Sequence, residues 1–145
     1  MEQKMIKATE NDIPKLRDFA EKVGVKWPKV DENTHFFMLE KPELAASCGM
    51  TLIEDQAVLR ALIINPEHCG LGEAIYLLTA ACSEALQLGA KAAYLATTVP
   101  SYIFQITGFE KMEHAELPKR LSEYDPFCNR EKMGHATIMM KVLKD

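Results

Sequence analysis

The sequence predicts a single-domain α/β fold (α+β by stricter usage), a mixed sheet flanked by helices. Three observations point there. Two apolar runs, residues 44–54 and 56–64, are separated only by Asp55, which reads as a tight hairpin. The second run breaks at Asn65-Pro66, and past Gly70 apolar residues recur at helical spacing. A further apolar strand over 92–98 follows that helix, so a strand–helix–strand crossover adjoins the hairpin.

The elements follow in order. Residues 5–8 make a short apolar start. Thr9, with Asp12 three residues on, has the form of a capping box. Ile13, Leu16, Ala20 and Val23 then keep helical spacing until Gly24 supplies a stop, which predicts a helix over 11–22. Pro14 fits within its first turn, where a missing N–H costs nothing. Residues 25–34, with Trp27-Pro28 and Asp31-Glu32-Asn33, read as a loop, and a strand over 35–40 follows. Residues 57–64 are nearly continuous apolar, as in a central strand covered on both faces, and Arg60 interrupts them. Leu71, Ala74, Ile75, Leu78, Ala81, Cys82, Ala85 and Leu88 share one face of the long helix, which Gly89 ends. The strand over 92–98, a short helix over 101–107 stopped by Gly108, and a last strand over 135–143 complete the chain. That last strand reads as an edge needing pairing or cover, for which a homodimer is one solution that the sequence does not establish.

Composition narrows the function. The chain has 145 residues, one domain's worth, with 48% hydrophobic and 26% charged residues, an ordinary globular balance. Seventeen basic against 21 acidic residues leave a net charge of -4, which argues against a nucleic-acid binder. No apolar run approaches the roughly 20 residues of a membrane span. Met1-Glu2-Gln3-Lys4 lacks the apolar core of a signal peptide, so a cytoplasmic protein is expected. Cys48, Cys69, Cys82 and Cys128 form no C-x-x-C pair and read as reduced thiols, and no metal site is predicted.

The most informative segment runs from Ile63 to Glu73. A buried strand ends, Gly70-Leu71-Gly72 follows, and a long helix begins. Backbone N–H groups at a helix start, with glycines that admit a ligand, make an anion site able to take a diphosphate. The same glycines suit a plain turn, which on a lone G-x-G is the favoured reading. No G-K-[ST] follows Gly72 and the full G-x-G-x-x-G is absent, which excludes a nucleotide P-loop and a dinucleotide fold.

Ile64-Asn65-Pro66 at the strand end, Gly70-Leu71-Gly72 at the helix start and Gly108-Phe109 further on resemble the GCN5-related N-acetyltransferases, over nearly the whole chain. Ala96-Thr97-Thr98, Phe104, Glu116-Leu117-Pro118, Arg120 and Tyr124 are similar, more narrowly, to the acetyltransferase domain of N-acetylglutamate synthases and to short amino-acid acetyltransferases. The resemblance implies a central mixed sheet of about six to seven strands. It implies acetyl-CoA as cosubstrate and direct acetyl transfer, in a ternary complex, to the amine of a small molecule such as an amino acid. Cofactor contacts fall to Ile63, Ile64, Cys69, Gly70, Leu71, Gly72 and Glu73, with Thr98, Tyr102 and Phe104 near the pantetheine. That arm lies along the 59–64 strand like an added strand. Among catalytic roles, the main-chain N–H of Leu62 stands for the oxyanion donors at that strand's end, Tyr102, two residues before the family's tyrosine position, is a candidate to protonate the leaving thiolate, and Glu116 is a candidate base. His114, His35 and Glu54 are further base candidates, and water can carry the proton instead. An acceptor carboxylate calls for arginine, with Arg60 first, and Thr97 and Arg120 beside it. Arg130 is secondary.

The chain also departs from the family. Glu67 stands where Gln or Arg is usual, and a carboxylate there repels a diphosphate unless it points away. The stretch from Pro66 to Gly70 is shorter than the family's, Phe104 stands at its tyrosine, and Val58 stands at its strand glutamate. Two alternatives follow. One is a degenerate fold that binds coenzyme A or a protein partner without catalysis. The other is a thiol enzyme using Cys69 beside His68 at the helix start.

Overall fold

The computed structural model describes residues 4–25, 27, 34–40, 43–97, 102–124, 127–129 and 133–143. Strands β1 (Lys4–Lys7), β2 (Thr34–Glu40), β3 (Leu44–Ile53), β4 (Gln56–Ile64), β5 (Ala92–Thr97), β6 (Glu110–Met112) and β7 (Thr137–Val142) form one seven-stranded sheet. Their order is β1-β2-β3-β4-β5-β7-β6. Every neighbouring pair is antiparallel except β4 and β5, which the crossover helix α2 (Leu71–Gln87) makes parallel. The remaining helices are α1 (Ile13–Val23), α3 (Tyr102–Ile106) and α4 (Lys119–Ser122).

Local chemistry accounts for α1. The Thr9 N–H donates to the Asp12 carboxylate at 2.8 Å, closing a 3-10 turn over Glu10–Asp12 before the α-helix begins at Ile13. Gly24, at φ 86°, ends it in the left-handed conformation that glycine adopts without strain. The expected start at residue 11 therefore falls in the 3-10 turn.

Two expectations change. β7 lies between β5 and β6, so it is not an edge, and that argument for a homodimer falls away. The edge on that side is β6, three residues of mostly exposed chain whose polar composition carries no strand pattern. On α2, Leu71 and Leu88 are 49% and 43% exposed, because they overhang the sheet at the helix ends. Leu77 takes their place in the buried stripe with Ala74, Leu78, Ala81, Cys82 and Ala85.

The sheet separates two cores. On one face α2 packs on Phe37, Leu39, Cys48, Met50, Ala57, Leu59, Ala93 and Leu95. On the other, α1 covers Phe36, Met38 and Ile63, while Leu117, Leu121 and Phe127 cover Ile53, Val58, Tyr94 and Ile138. Strand β4 serves both faces with a bulge. Gly49 pairs with Arg60, but Cys48 pairs with Leu62, so residue 61 is extra. Leu59 and Leu62 consequently both pack towards α2, while Arg60 shares the opposite face with Gly49 and Ile63 packs under α1.

Candidate functional site

Strands β4 and β5 are paired only from Gln56–Ala92 to Val58–Tyr94, and beyond that they part. β5 continues to Thr97 against β7, and β4 continues to Ile64 against β3. A fork therefore opens in the middle of the sheet, with a β4 edge that no other strand covers among the described residues.

The turn from β4 to α2 is knotted around Asn65. Its main-chain oxygen accepts N–H groups from His68 and Cys69 at 3.0 and 2.9 Å, and its side-chain oxygen accepts that of Glu67 at 3.0 Å. Helix α2 then starts with Ala74 N–H donating to Gly70 O at 3.2 Å. Gly70 provides no side-chain cap, so the first N–H groups of α2 face the space in front of the helix. A Cβ added at Gly72 would meet no atom within 4 Å. Packing within the chain does not require that glycine, and the space above it is open.

The cofactor residues expected from sequence mostly gather here. Ile63 and Ile64 end β4, and Gly70, Leu71 and Gly72 line the exposed helix start. Cys69 is buried in the α2 core, its thiol 3.5 Å from the Gly70 oxygen. Glu73 brings Oε2 to 3.4 Å from where a Cβ on Gly70 would stand, so its carboxylate folds back towards the helix start. Glu67 is exposed and lines a groove of about 970 Å³ beside α1, together with Lys15, Asp18, Lys22, Glu43 and His68. Tyr102, 69% exposed, begins α3. Phe104 turns its ring into the α2 core, edge-on to Phe109 at 6.0 Å. Thr98 lies outside the described residues.

The acceptor and base candidates scatter. Arg60 sits two residues past the last β4–β5 pair, on the face away from α2, its Nε donating to Thr51 Oγ1 at 3.0 Å. Thr97 falls on the α2 face by alternation with Ala93 and Leu95, so it does not share a face with Arg60. Arg120 is 3.4 Å from Glu54 at the β3–β4 turn. Since β4 has nine residues, that turn lies roughly 25–30 Å from the Ile64 end, and neither side chain reaches the glycine turn. The Glu116 carboxylate accepts the Glu113 N–H at 3.0 Å and caps its own 3-10 turn, and His114 is bonded to Phe127 O at 3.0 Å. His35 faces Lys7 and Glu84, roughly 20 Å along α2 from Leu71. Burial and then the Lys7 charge hold its imidazole below the usual range, with Glu84 opposing. Leu62 keeps its place in β4 beyond the fork, and Arg130 lies outside the described residues. Two features were missed from sequence, the β4 bulge and the Thr51–Thr34 pair that receives Arg60. Among the described residues no three His, Cys, Asp or Glu side chains converge as metal ligands, and no helix is long and apolar enough to cross a membrane.

A forked mixed sheet thus carries a glycine-bearing turn from its central strand into the crossover helix. The chain has the fold of the GCN5-related N-acetyltransferases. It is similar to N-acetylglutamate synthase from Neisseria gonorrhoeae in complex with coenzyme A and N-acetyl-glutamate, with a TM-score of 0.77 at 18% identity, covering 100% of this chain and 36% of that one. The chain thus spans about a third of that synthase. It is similar over nearly the full length of both chains to a GNAT-family acetyltransferase from Staphylococcus aureus Mu50, with a TM-score of 0.74 at 14% identity and coverage of 99% and 100%. The same holds for the ribosomal-protein-S18-alanine N-acetyltransferase of Escherichia coli, with a TM-score of 0.73 at 14% identity and coverage of 99% and 96%. No protein-family model and no curated protein matches the sequence.

Proposed function

We propose that the protein is an acetyl-CoA-dependent N-acetyltransferase that acts on the amine of a small molecule, an amino acid being the class Arg60 favours. The observation that carries this reading is the fork between β4 and β5. It has an uncapped, glycine-opened helix start at its end, and a guanidinium on the face away from α2. The residues fit coenzyme A on three counts. The helix start is an anion site, the space above Gly72 admits a phosphate, and the β4 edge beyond Val58 offers main-chain groups to an amide-bearing arm.

Bound there, acetyl-CoA supplies an acetyl thioester susceptible to attack by an amine. The chain's contribution is mainly placement, since holding two reactants together supplies much of the rate in such a transfer. Gly70 to Glu73 would hold the diphosphate through main-chain N–H groups, and the Leu62 N–H would serve as oxyanion donor. Arg60 would hold the acceptor carboxylate, and Tyr102 would supply the proton that the leaving sulfur requires. Water takes the amine proton, because Glu116 and His114 are committed to other partners.

Two carboxylates favour a second reading, in which the fold binds coenzyme A or a partner without catalysis: Glu67 in the turn and Glu73 at the helix start. Calorimetric titration with acetyl-CoA, coenzyme A and ATP comes first, followed by thiol-release assays over amino acids and amines. Binding of both coenzyme forms but not ATP, with turnover, supports the enzyme. Binding without turnover supports the second reading, and no binding overturns both as cofactor proteins.

A further inference from the structure

We infer that the groove beside α1 is a binding site for a chain-like organic polycation of the polyamine class, whose charge also supports coenzyme binding across the β4–α2 turn. The site stands on its own geometry, and only its coupling to coenzyme rests on the acetyltransferase reading. The groove has a volume of about 970 Å³, within the roughly 300–1,000 Å³ of small-molecule sites. Along α1 it runs from Pro14 to Lys22, roughly 12 Å at 1.5 Å per residue, which suits an extended chain. The turn from Asn65 to His68, with Glu43 and Leu44, lines it from the other side.

Charge selects a cation. Among the described lining residues, four carboxylates, those of Asp18, Glu40, Glu43 and Glu67, stand against two lysines. That excess of two negative charges falls in a chain whose whole net charge is -4. Lys15 is spent on Glu40, and Lys22 sits in the last turn of α1, where it complements the carbonyl end of the helix. His68 Nε2 stands 3.8 Å from Glu43. The carboxylates of Asp18 on α1 and Glu67 on the turn have no partner among the described residues. They are also too spread for one metal ion, since no three His, Cys, Asp or Glu side chains among the described residues converge as ligands. Charges set apart, in a lining that also includes apolar Pro14, Val23, Leu44 and Pro66, match ammonium groups separated by methylene segments.

Glu67 joins this groove to the coenzyme site. It belongs to the turn knotted around Asn65, three residues before Gly70, and so lies within about 10 Å of the helix start. A carboxylate in that turn works against a diphosphate, and an ammonium group drawn to it cancels the repulsion without any movement of the backbone. For unit charges about 10 Å apart at an effective dielectric of 20–80, the gain in acetyl-CoA affinity is roughly 2- to 15-fold. Linkage makes the effect reciprocal, so acetyl-CoA tightens the polycation by the same factor. The residue that departs from the family pattern thereby acquires a role.

Spermidine is the probe, titrated calorimetrically beside butylamine, which has one ammonium group, and magnesium chloride, all at matched ionic strength. Wild type, Asp18→Asn, Glu67→Gln and the double variant are compared, each with its melting temperature. Spermidine should bind the wild type in the absence of coenzyme, more tightly than either comparison. Each substitution should weaken it roughly 2- to 5-fold, as for exposed ion pairs, and the two together roughly 4- to 25-fold. Saturating spermidine should tighten acetyl-CoA roughly 2- to 15-fold in wild type, and by less in Glu67→Gln, which should start from a tighter affinity. No spermidine binding at millimolar concentration, or binding that the folded double variant keeps in full, overturns the site. Magnesium binding that equals spermidine and shares its sensitivity to the substitutions overturns the polycation class. Spermidine bound as expected, with acetyl-CoA affinity unmoved, overturns the coupling alone. No acetyl-CoA binding under any condition overturns the acetyltransferase reading and leaves the polycation site standing.

Discussion

Replacing Gly72 by alanine separates two reasons for a glycine at that position. It is the second residue of α2, its φ lies outside the left-handed region, and an added Cβ meets nothing within 4 Å. For the protein alone, alanine should therefore be an improvement, worth about 0.5 kcal/mol this early in a helix. In a chain of this length that raises the melting temperature by roughly 1–2 °C. For a bound diphosphate the same methyl is an obstacle, because it occupies space through which phosphate oxygens approach the first N–H groups of α2. Losing one charge-assisted hydrogen bond costs about 1.5–3 kcal/mol, a loss of roughly 10- to 150-fold in affinity. Stability and acetyl-CoA affinity should thus move in opposite directions when scanning and titration calorimetry are run on one preparation. A stabilised variant that binds as tightly as wild type would mean the space above Gly72 is only solvent. A destabilised variant would mean that the local helix geometry is wrong.

Other perturbations test separate contacts. Gly49→Ala pushes a methyl against Phe36 and Arg60 and should cost about 1–3 kcal/mol, read as a lower urea midpoint at unchanged slope, while an unmoved midpoint refutes the contact. Glu73→Gln removes a charge facing the proposed diphosphate site. For unit charges about 5 Å apart at an effective dielectric of 20–80 it should tighten acetyl-CoA by about 1–3 kcal/mol, roughly 5- to 150-fold; equal affinity would show that the carboxylate turns away. For His35, burial and Lys7 depress the folded-state pKa, so below about pH 6.5 the unfolded chain binds the proton more readily. Stability should therefore fall from pH 7.5 towards pH 5.5, and His35→Gln should flatten that slope; an unchanged slope sinks the assignment. At pH 8 iodoacetamide should label exposed Cys128 first, with Cys82 and Cys48, whose thiol burial pushes up to about 12, reacting only on unfolding. Cys69→Ser should retain acetyl transfer, and its loss would revive the thiol mechanism.

The elements were legible because their signals are local. Capping residues and Gly24 bracket α1, and the small apolar stripe of α2 runs on between Gly70 and Gly89 whatever it packs against. β6 was not legible, because three mostly exposed residues at a sheet edge carry no alternation. The helix start was legible for the same reason as the helix, being a contiguous strand, glycine turn and apolar stripe. Arg120, Glu116 and His35 illustrate the limit. Each has suitable chemistry that is spent elsewhere: Arg120 on distant Glu54, His35 beside Lys7 on the neighbouring strand, and Glu116 on a local 3-10 cap.

The setting of Arg60 was nearer to reach than it looked, and the obstacle was one residue. A hairpin with Asp55 as its sole turn residue places Arg60 opposite Met50. The turn instead uses Glu54, at φ 56°, together with Asp55, so Ile53 pairs with Gln56. Counting equally from that pair sets Gly49 against Arg60 and Thr51 against Val58. A slip of one residue exchanges the two faces of a strand, so the shorter turn opposes arginine to a core methionine. The two-residue turn opposes it to a glycine, with a buried hydroxyl on the diagonal. The bulge at residue 61 then restores the apolar faces beyond it, which is why an almost unbroken apolar run can carry a charge in its middle. The charge therefore needs no gap in the core, only a glycine across the ladder, and that pairing is visible in the sequence once the turn has its correct length.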